Sequence, residues 1–375
     1  MKRRNFLRYS VSGLMGLALD AHFGTMQAAQ KTHKYNIVIL GDTHFDTEPD
    51  TIYHANYNEK TEWLNRVQRA EFARNGEMWR ERCPRMLRRA ARLINKNTIM
   101  VFQMGDLIQG DCGNGDVHKK MLSDVLNRFK NELGGLPFVT VAGNHDIRGV
   151  DAEQVYHDFI PKQMSMELGK SIHKTTFSFT IGDDAYLVID FNKPDDNEID
   201  RMLNETKDAR HTFVISHGPL FPFDHKSCRW FFHGSESRED TEARLHFRRR
   251  FAQRNTICLC GHTHKIEFAD WFGDGGRITQ MTMNSVWSDE KLSSYEILAE
   301  GPEQYGKLRK INYKTESGDT IKDETSLFDE YRDGMHRYQT GKGAGCYQMK
   351  VSDRHIVMDF YAGDSKNITQ QFMLR

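Results

Sequence analysis

The stretch Tyr35-Asn36-Ile37-Val38-Ile39-Leu40-Gly41-Asp42-Thr43-His44 decides the fold: a short apolar, β-branched run stops at a glycine and is followed at once by an aspartate and a histidine. A run of this length, bounded by a turn residue, reads as a buried strand whose end carries polar chemistry. The pattern recurs. Thr98 to Gln103 leads to Gly105-Asp106, and Pro137 to Ala142 leads to Gly143-Asn144-His145-Asp146. His211 to Ile215 leads to Ser216-His217-Gly218, and Thr256 to Cys260 to Gly261-His262-Thr263-His264. Helical patterns lie between these runs. Leu87, Ala90, Ala91 and Ile94 share one face after Pro84, and Met121, Val125, Phe129 and Leu133 share another. Alternating strand and helix argues a layered α/β core. The second half is richer in hairpins: Phe177 to Ile181 with Tyr186 to Phe191, Ile266 to Trp271 with Ile278 to Met283, and Tyr347 to Val351 with Ile356 to Tyr361.

The 375 residues, 38% of them hydrophobic, suffice for one large domain with a substantial core. We expect a single catalytic domain over 35–375, with polar or glycine-punctuated stretches near 45–80 and 287–343 as insertions. Lysine plus arginine and aspartate plus glutamate stand at 52 each, so overall charge points to no polyanionic partner such as nucleic acid.

The first 29 residues differ from the rest. Lys2, Arg3, Arg4 and Arg8 precede a mostly apolar stretch from Val11 to Leu19, and small residues follow at Ala28 and Ala29. This reads as a cleavable signal, and the stretch is about half of the ~20 residues a membrane-spanning helix needs. No permanent span is expected. Arg3-Arg4-Asn5-Phe6-Leu7-Arg8 resembles the twin-arginine export motif, which implies recognition by that export machinery and a periplasmic or extracellular destination. Six cysteines, without paired spacing, read mostly as small buried hydrophobes, and Cys258 and Cys260 should share one strand face.

In α/β sheets the carboxyl ends of strands surround the crevice where ligands collect, so five such tips can converge. Asp42 with His44, and His262 with His264, sit two apart. On extended backbone each pair would point to one side, with Cα atoms ~6–7 Å apart. Each motif alone is weak evidence; the five in this order are strong.

As a set, Asp-x-His, Gly-Asp, Gly-Asn-His-Asp, His and Gly-His-x-His resemble the pattern of the calcineurin-like metallophosphoesterase superfamily, over residues 36 to 264. The resemblance implies an α/β/β/α sandwich of two mixed β-sheets flanked by helices. It implies that Asp42, His44 and His264 hold one metal ion, that Asn144, His217 and His262 hold the other, and that Asp106 bridges them. The ions would be divalent or mixed-valence Mn, Fe, Zn or Co, since a mixed nitrogen and oxygen donor set does not discriminate among them. A hydroxide bridging the ions would attack a small-molecule phosphoester, and His145 would face the substrate and protonate the leaving oxygen. Asp146 would orient the loop.

Two departures narrow the substrate. The Ser/Thr protein phosphatase branch has Asp-Arg where this chain has Gln109-Gly110, which leaves Asp111 as a candidate partner for His145. Purple acid phosphatases have a metal-binding tyrosine at the place of Gln109. With no second cation evident for a dianion, a phosphodiester is slightly preferred; the alternatives are a phosphomonoesterase and a catalytically silent binding protein. The aromatic run Phe221, Phe223, Trp230, Phe231, Phe232 and His233 either covers substrate or packs its loop, and Arg148, Lys226 and Arg229 either hold phosphate or make surface ion pairs.

Overall fold

Strands that lie between two cores should be apolar on both faces, and several here are. In the segment Asp184–Ile189, Tyr186 and Val188 join one buried cluster while Ala185, Leu187 and Ile189 join another. The period of two has simply divided the strand between the two sides of its sheet. Ile257 and Leu259 divide from Cys258 and Cys260 in the same way, so the two cysteines do share one face.

The protein is represented by a computed structural model that describes residues 34–46, 74, 76–221, 231–235, 237–285, 297–308 and 325–375. In chain order these contain β1 (Tyr35–Leu40), α1 (Cys83–Leu93), β2 (Thr98–Gln103), α2 (Gly115–Glu132), β3 (Phe138–Thr140) and α3 (Ala152–Leu168). There follow β4 (Phe177–Ile181), β5 (Asp184–Ile189), α4 (Asp196–Glu205), β6 (Thr212–Ser216), α5 (Arg238–Gln253), β7 (Ile257–Cys260), β8 (Ile266–Gly273) and β9 (Gly276–Thr282). Last come β10 (Ile297–Glu300), α6 (Gly301–Lys307), α7 (Thr325–Arg332), β11 (Met335–Gly341), β12 (Gly345–Val351), β13 (Ile356–Ala362) and β14 (Gln370–Met373). The signal-like segment, Cys228, and the loop residues Phe223, Lys226, Arg229 and Trp230 lie outside the described residues.

The strands form two mixed sheets. One has six strands in the order β14-β13-β12-β1-β2-β3, the other eight in the order β10-β11-β8-β9-β7-β6-β5-β4. Within them β1-β2-β3 and β5-β6-β7-β9 run parallel. Helices cover the outer faces, giving the α/β/β/α layers expected from the sequence. Residues of both sheets share one core, in which Phe102 of β2 meets Phe179 and Tyr186 edge-on at centroid distances of 6.2 and 5.5 Å. On α2 the buried Met121, Val125 and Phe129 are the stripe read from the sequence, and Asn114 caps the helix by accepting from Val117 N–H at 3.0 Å.

Part of the stretch 287–343 supplies β10 and β11, which extend the eight-stranded sheet beyond β8. From the other such stretch, Trp79 is buried edge-on against Phe45 at 4.7 Å. Among the described residues no helix is long and apolar enough to cross a membrane. Since β1, β2 and β3 run parallel in one sheet and β6 and β7 in the other, the motif-bearing carboxyl ends collect at one edge of each sheet.

Candidate metal centre

The five tips meet. Ligand atoms of Asp42, His44, Asp106 and His264 lie within 4.8 Å of one another, and so do those of Asp106, His217 and His262. In the first group, Nε2 of His264 is 3.2 Å from both Nε2 of His44 and a carboxylate oxygen of Asp42. In the second, Nδ1 of His262 is 3.3 Å from Nε2 of His217 and 2.9 Å from the side-chain oxygen of Asn144. Asp106 belongs to both: its Oδ2 is 3.2 Å from Nε2 of His217 and 3.7 Å from Nε2 of His44. Its Oδ1 accepts the backbone N–H of His145 at 2.8 Å, which holds the carboxylate in place.

The way the side chains converge differs from the sequence expectation. Both pairs were expected on extended backbone, but the strands stop at Leu40 and Cys260, and His44, His262 and His264 have φ of +43°, +73° and +57°. Asp106 is likewise left-handed at +48°. Such conformations are strained for residues with a Cβ and persist where surrounding structure imposes them, which is a mark of functional sites. Tight turns, not strand pleat, aim the donors inward.

Close approach requires glycine before them. A Cβ on Gly261 would lie 2.4 Å from Oδ1 of Asp42 and 2.6 Å from the Met104 carbonyl. Gly261→Ala is therefore expected to shift the tip that carries His262 and His264, lowering kcat/KM by about a hundredfold, a loss that a misplacement of ~1 Å can cause. Steady-state kinetics with a chromogenic phosphate ester checks this.

Electrostatics favour a cation. Desolvation opposes a charge on His217, yet Asp106 and Asp42 push its pKa up to about 10. Burial, with the neighbouring imidazoles, drives His262 down to about 3 and His44 well below its ordinary value. Buried carboxylates thus draw in positive charge while neutral imidazoles turn lone pairs toward it, a donor chemistry that suits divalent transition metals. His217 uses Nδ1–H to donate to the Met104 carbonyl at 2.7 Å, which fixes its tautomer and leaves Nε2 facing Asp106.

His145 and Asp146 lie beside this centre. His145 sits edge-on to His44 at 4.6 Å and donates Nδ1–H to the Gln109 carbonyl at 3.0 Å. The Nδ1 partner of His145 is therefore the Gln109 carbonyl, and the Asp111 carboxylate pairs with Arg148. Asp146 orients the loop as expected: its carboxylate accepts Ile108 N–H at 3.0 Å and Gly143 N–H at 2.9 Å. Desolvation and the nearby Asp106 raise its pKa to about 7. Of the aromatic run, Phe221, Phe231 and Phe232 pack into the cluster with Phe247 and Phe251, and His233 bridges Asp196 and Asp240, so these four pack their loop onto the domain.

One positioning residue escaped the sequence reading. The buried Gln103 donates to the Gly41 and Gly105 carbonyls and accepts from Gly105 N–H and the Thr140 hydroxyl, lacing together the tips of β1, β2 and β3. A glutamine closing a strand gave no signal of this.

The family model described as calcineurin-like phosphoesterase matches residues 35–266. No curated protein matches the chain significantly. Among solved structures, the chain is similar to GAP50, the anchor in the inner membrane complex of Plasmodium, with 12% identity and a TM-score of 0.45 over 91% of this chain and 88% of that one. It is also similar to PhoD, with 9% identity and a TM-score of 0.46 over 91% and 68% of the two chains. A dimetal phosphatase from Danio rerio shows 10% identity and a TM-score of 0.47 over 91% and 98%.

Proposed function

Because the chain belongs to the calcineurin-like phosphoesterase family, a hydrolase acting on ester bonds, we propose that it cleaves small-molecule phosphoesters with the help of two metal ions. The observation that supports this most directly is the membership of Asp106 in both donor groups. Asp42, His44 and His264 would hold one ion and Asn144, His217 and His262 the other, with Asp106 shared. Ions so held, of Mn, Fe, Zn or Co, would supply charge for the phosphoryl oxygens and acidify the water that attacks phosphorus. The protein's own residues do the rest. Gln109 fixes the His145 ring through Nδ1, so Nε2 is the atom that meets the substrate and handles the proton of the leaving oxygen. Asp146 and Gln103 hold the loops rigid.

The sequence favours a diester because no second cation for a dianionic phosphate is evident in it. Arg148, 3.4 Å from Nε2 of His145, alters that premise. Protein loaded with Mn(II) is expected to cleave p-nitrophenyl phosphate or its bis ester. Bound metal without hydrolysis of any phosphate ester would favour a silent binding protein instead.

Export rests on Arg3-Arg4-Asn5-Phe6-Leu7-Arg8 alone. Changing Arg3 and Arg4 together to lysine is expected to leave the precursor inside the cell, as read by fractionation; unimpaired export of the double variant would count against the twin-arginine route.

A further inference from the structure

Two loops are stitched together beside His145. Asp111 N–H donates to the Arg148 carbonyl at 2.6 Å, and Val150 N–H to the Cys112 carbonyl at 3.4 Å. Gly110, at φ +73°, approaches so closely that a Cβ there would lie 2.1 Å from the His145 carbonyl. This stitching sets the Asp111 carboxylate, 1% exposed, in an ion pair with the Arg148 guanidinium. A buried carboxylate is costly unless paired, so the guanidinium is held in one place. Another of its nitrogens is 3.4 Å from Nε2 of His145, while the Arg148 side chain keeps 31% of its surface open.

Because Nδ1 of His145 is committed to the Gln109 carbonyl and an Arg148 nitrogen lies 3.4 Å from Nε2, a substrate oxygen that meets Nε2 also comes within reach of the Arg148 guanidinium. We propose that Arg148, anchored by Asp111, binds the phosphoryl group and fits the site to phosphomonoesters, an inference that rests on the phosphoester hydrolase reading. A monoester carries one more negative charge than a diester, and a fixed guanidinium balances it with paired, charge-assisted hydrogen bonds. In the reaction the oxygen of water bonds to phosphorus as the ester P–O bond breaks. A proton from that water ends on the leaving oxygen, and the products are an alcohol and inorganic phosphate. The phosphate product is itself a ligand for Arg148.

The experiment uses the metal-loaded protein, calorimetric titration with inorganic phosphate, and kcat/KM for p-nitrophenyl phosphate and its bis ester. Arg148→Ala is expected to weaken phosphate binding about 10- to 100-fold. It should lower kcat/KM for the monoester by a similar factor and for the diester far less, with metal content unchanged and the melting temperature lowered by the loss of Asp111's buried partner. Arg148→Lys, which keeps the charge but not the fork, should fall between, and Asp111→Asn should move in the same direction. Unchanged phosphate affinity in a folded Arg148→Ala protein, or equal losses on the two esters, would overturn the proposal. Should the alanine variant fail to fold, Arg148→Lys with parental phosphate affinity and parental ester preference would overturn it equally. Parent protein that holds metal yet neither cleaves an ester nor binds phosphate would overturn the hydrolase reading, and this inference with it.

Discussion

Asp106→Asn is expected to lower kcat/KM by at least about a thousandfold, because a carboxylate shared by two metal ions, the role proposed for Asp106, contributes several kcal/mol of charge stabilisation and each ~1.4 kcal/mol is tenfold in rate. The substitution is almost isosteric. The remaining amide oxygen can still accept His145 N–H, as Oδ1 does now at 2.8 Å. What changes is the other half of the group: an NH2 replaces the oxygen that lies 3.2 Å from His217 and 3.7 Å from His44. A donor then faces a site built of acceptors, and one of two buried negative charges is gone. Both ions should bind more weakly, so metal content and rate should fall together. Steady-state rates at saturating Mn(II), alongside elemental analysis, check this; a variant with parental activity would contradict it.

His145→Ala is expected to behave differently. It should lower kcat by about 10²- to 10⁴-fold, the range for a general acid or base, while leaving two ions in place. The reason is geometric: the His145 ring touches the centre edge-on at His44, but its Nδ1 is spent on Gln109 and it belongs to neither donor group. The loss should grow with the basicity of the leaving group, since an alkoxide needs a proton in the transition state far more than p-nitrophenolate does. A series of aryl and alkyl phosphates reads this out. Loss of metal from the variant would show instead that the ring's part is structural.

The contrast between these substitutions marks what the sequence made legible. Residue type and chain order pointed to the seven candidate donors, because each follows an apolar run that is visibly a strand and all but His217 follow a glycine that visibly ends it. Helix stripes such as Met121, Val125 and Phe129 were legible for the same local reason. Backbone conformation at the tips was not: a pair such as His262 and His264 reads as extended by spacing, whereas both residues are left-handed, at φ +73° and +57°. Contacts between distant loops were illegible too. Nothing local marks Gln103 as the residue that laces three strand ends, or directs Asp111 to Arg148. The aromatic run around Phe231 was ambiguous because a ring covering a substrate and a ring covering a core have the same sequence signature; tertiary packing decides.

The account depends on one claim, that Asp42, His44, Asp106, Asn144, His217, His262 and His264 together hold a pair of ions. Titrating Mn(II) into metal-free protein while recording electron paramagnetic resonance tests it most directly. The expected result is two ions per chain with the signal of a magnetically coupled pair, replaced in Asp106→Asn by weaker, uncoupled binding. Saturation at one ion, or two ions with no coupling in the parent protein, would contradict it.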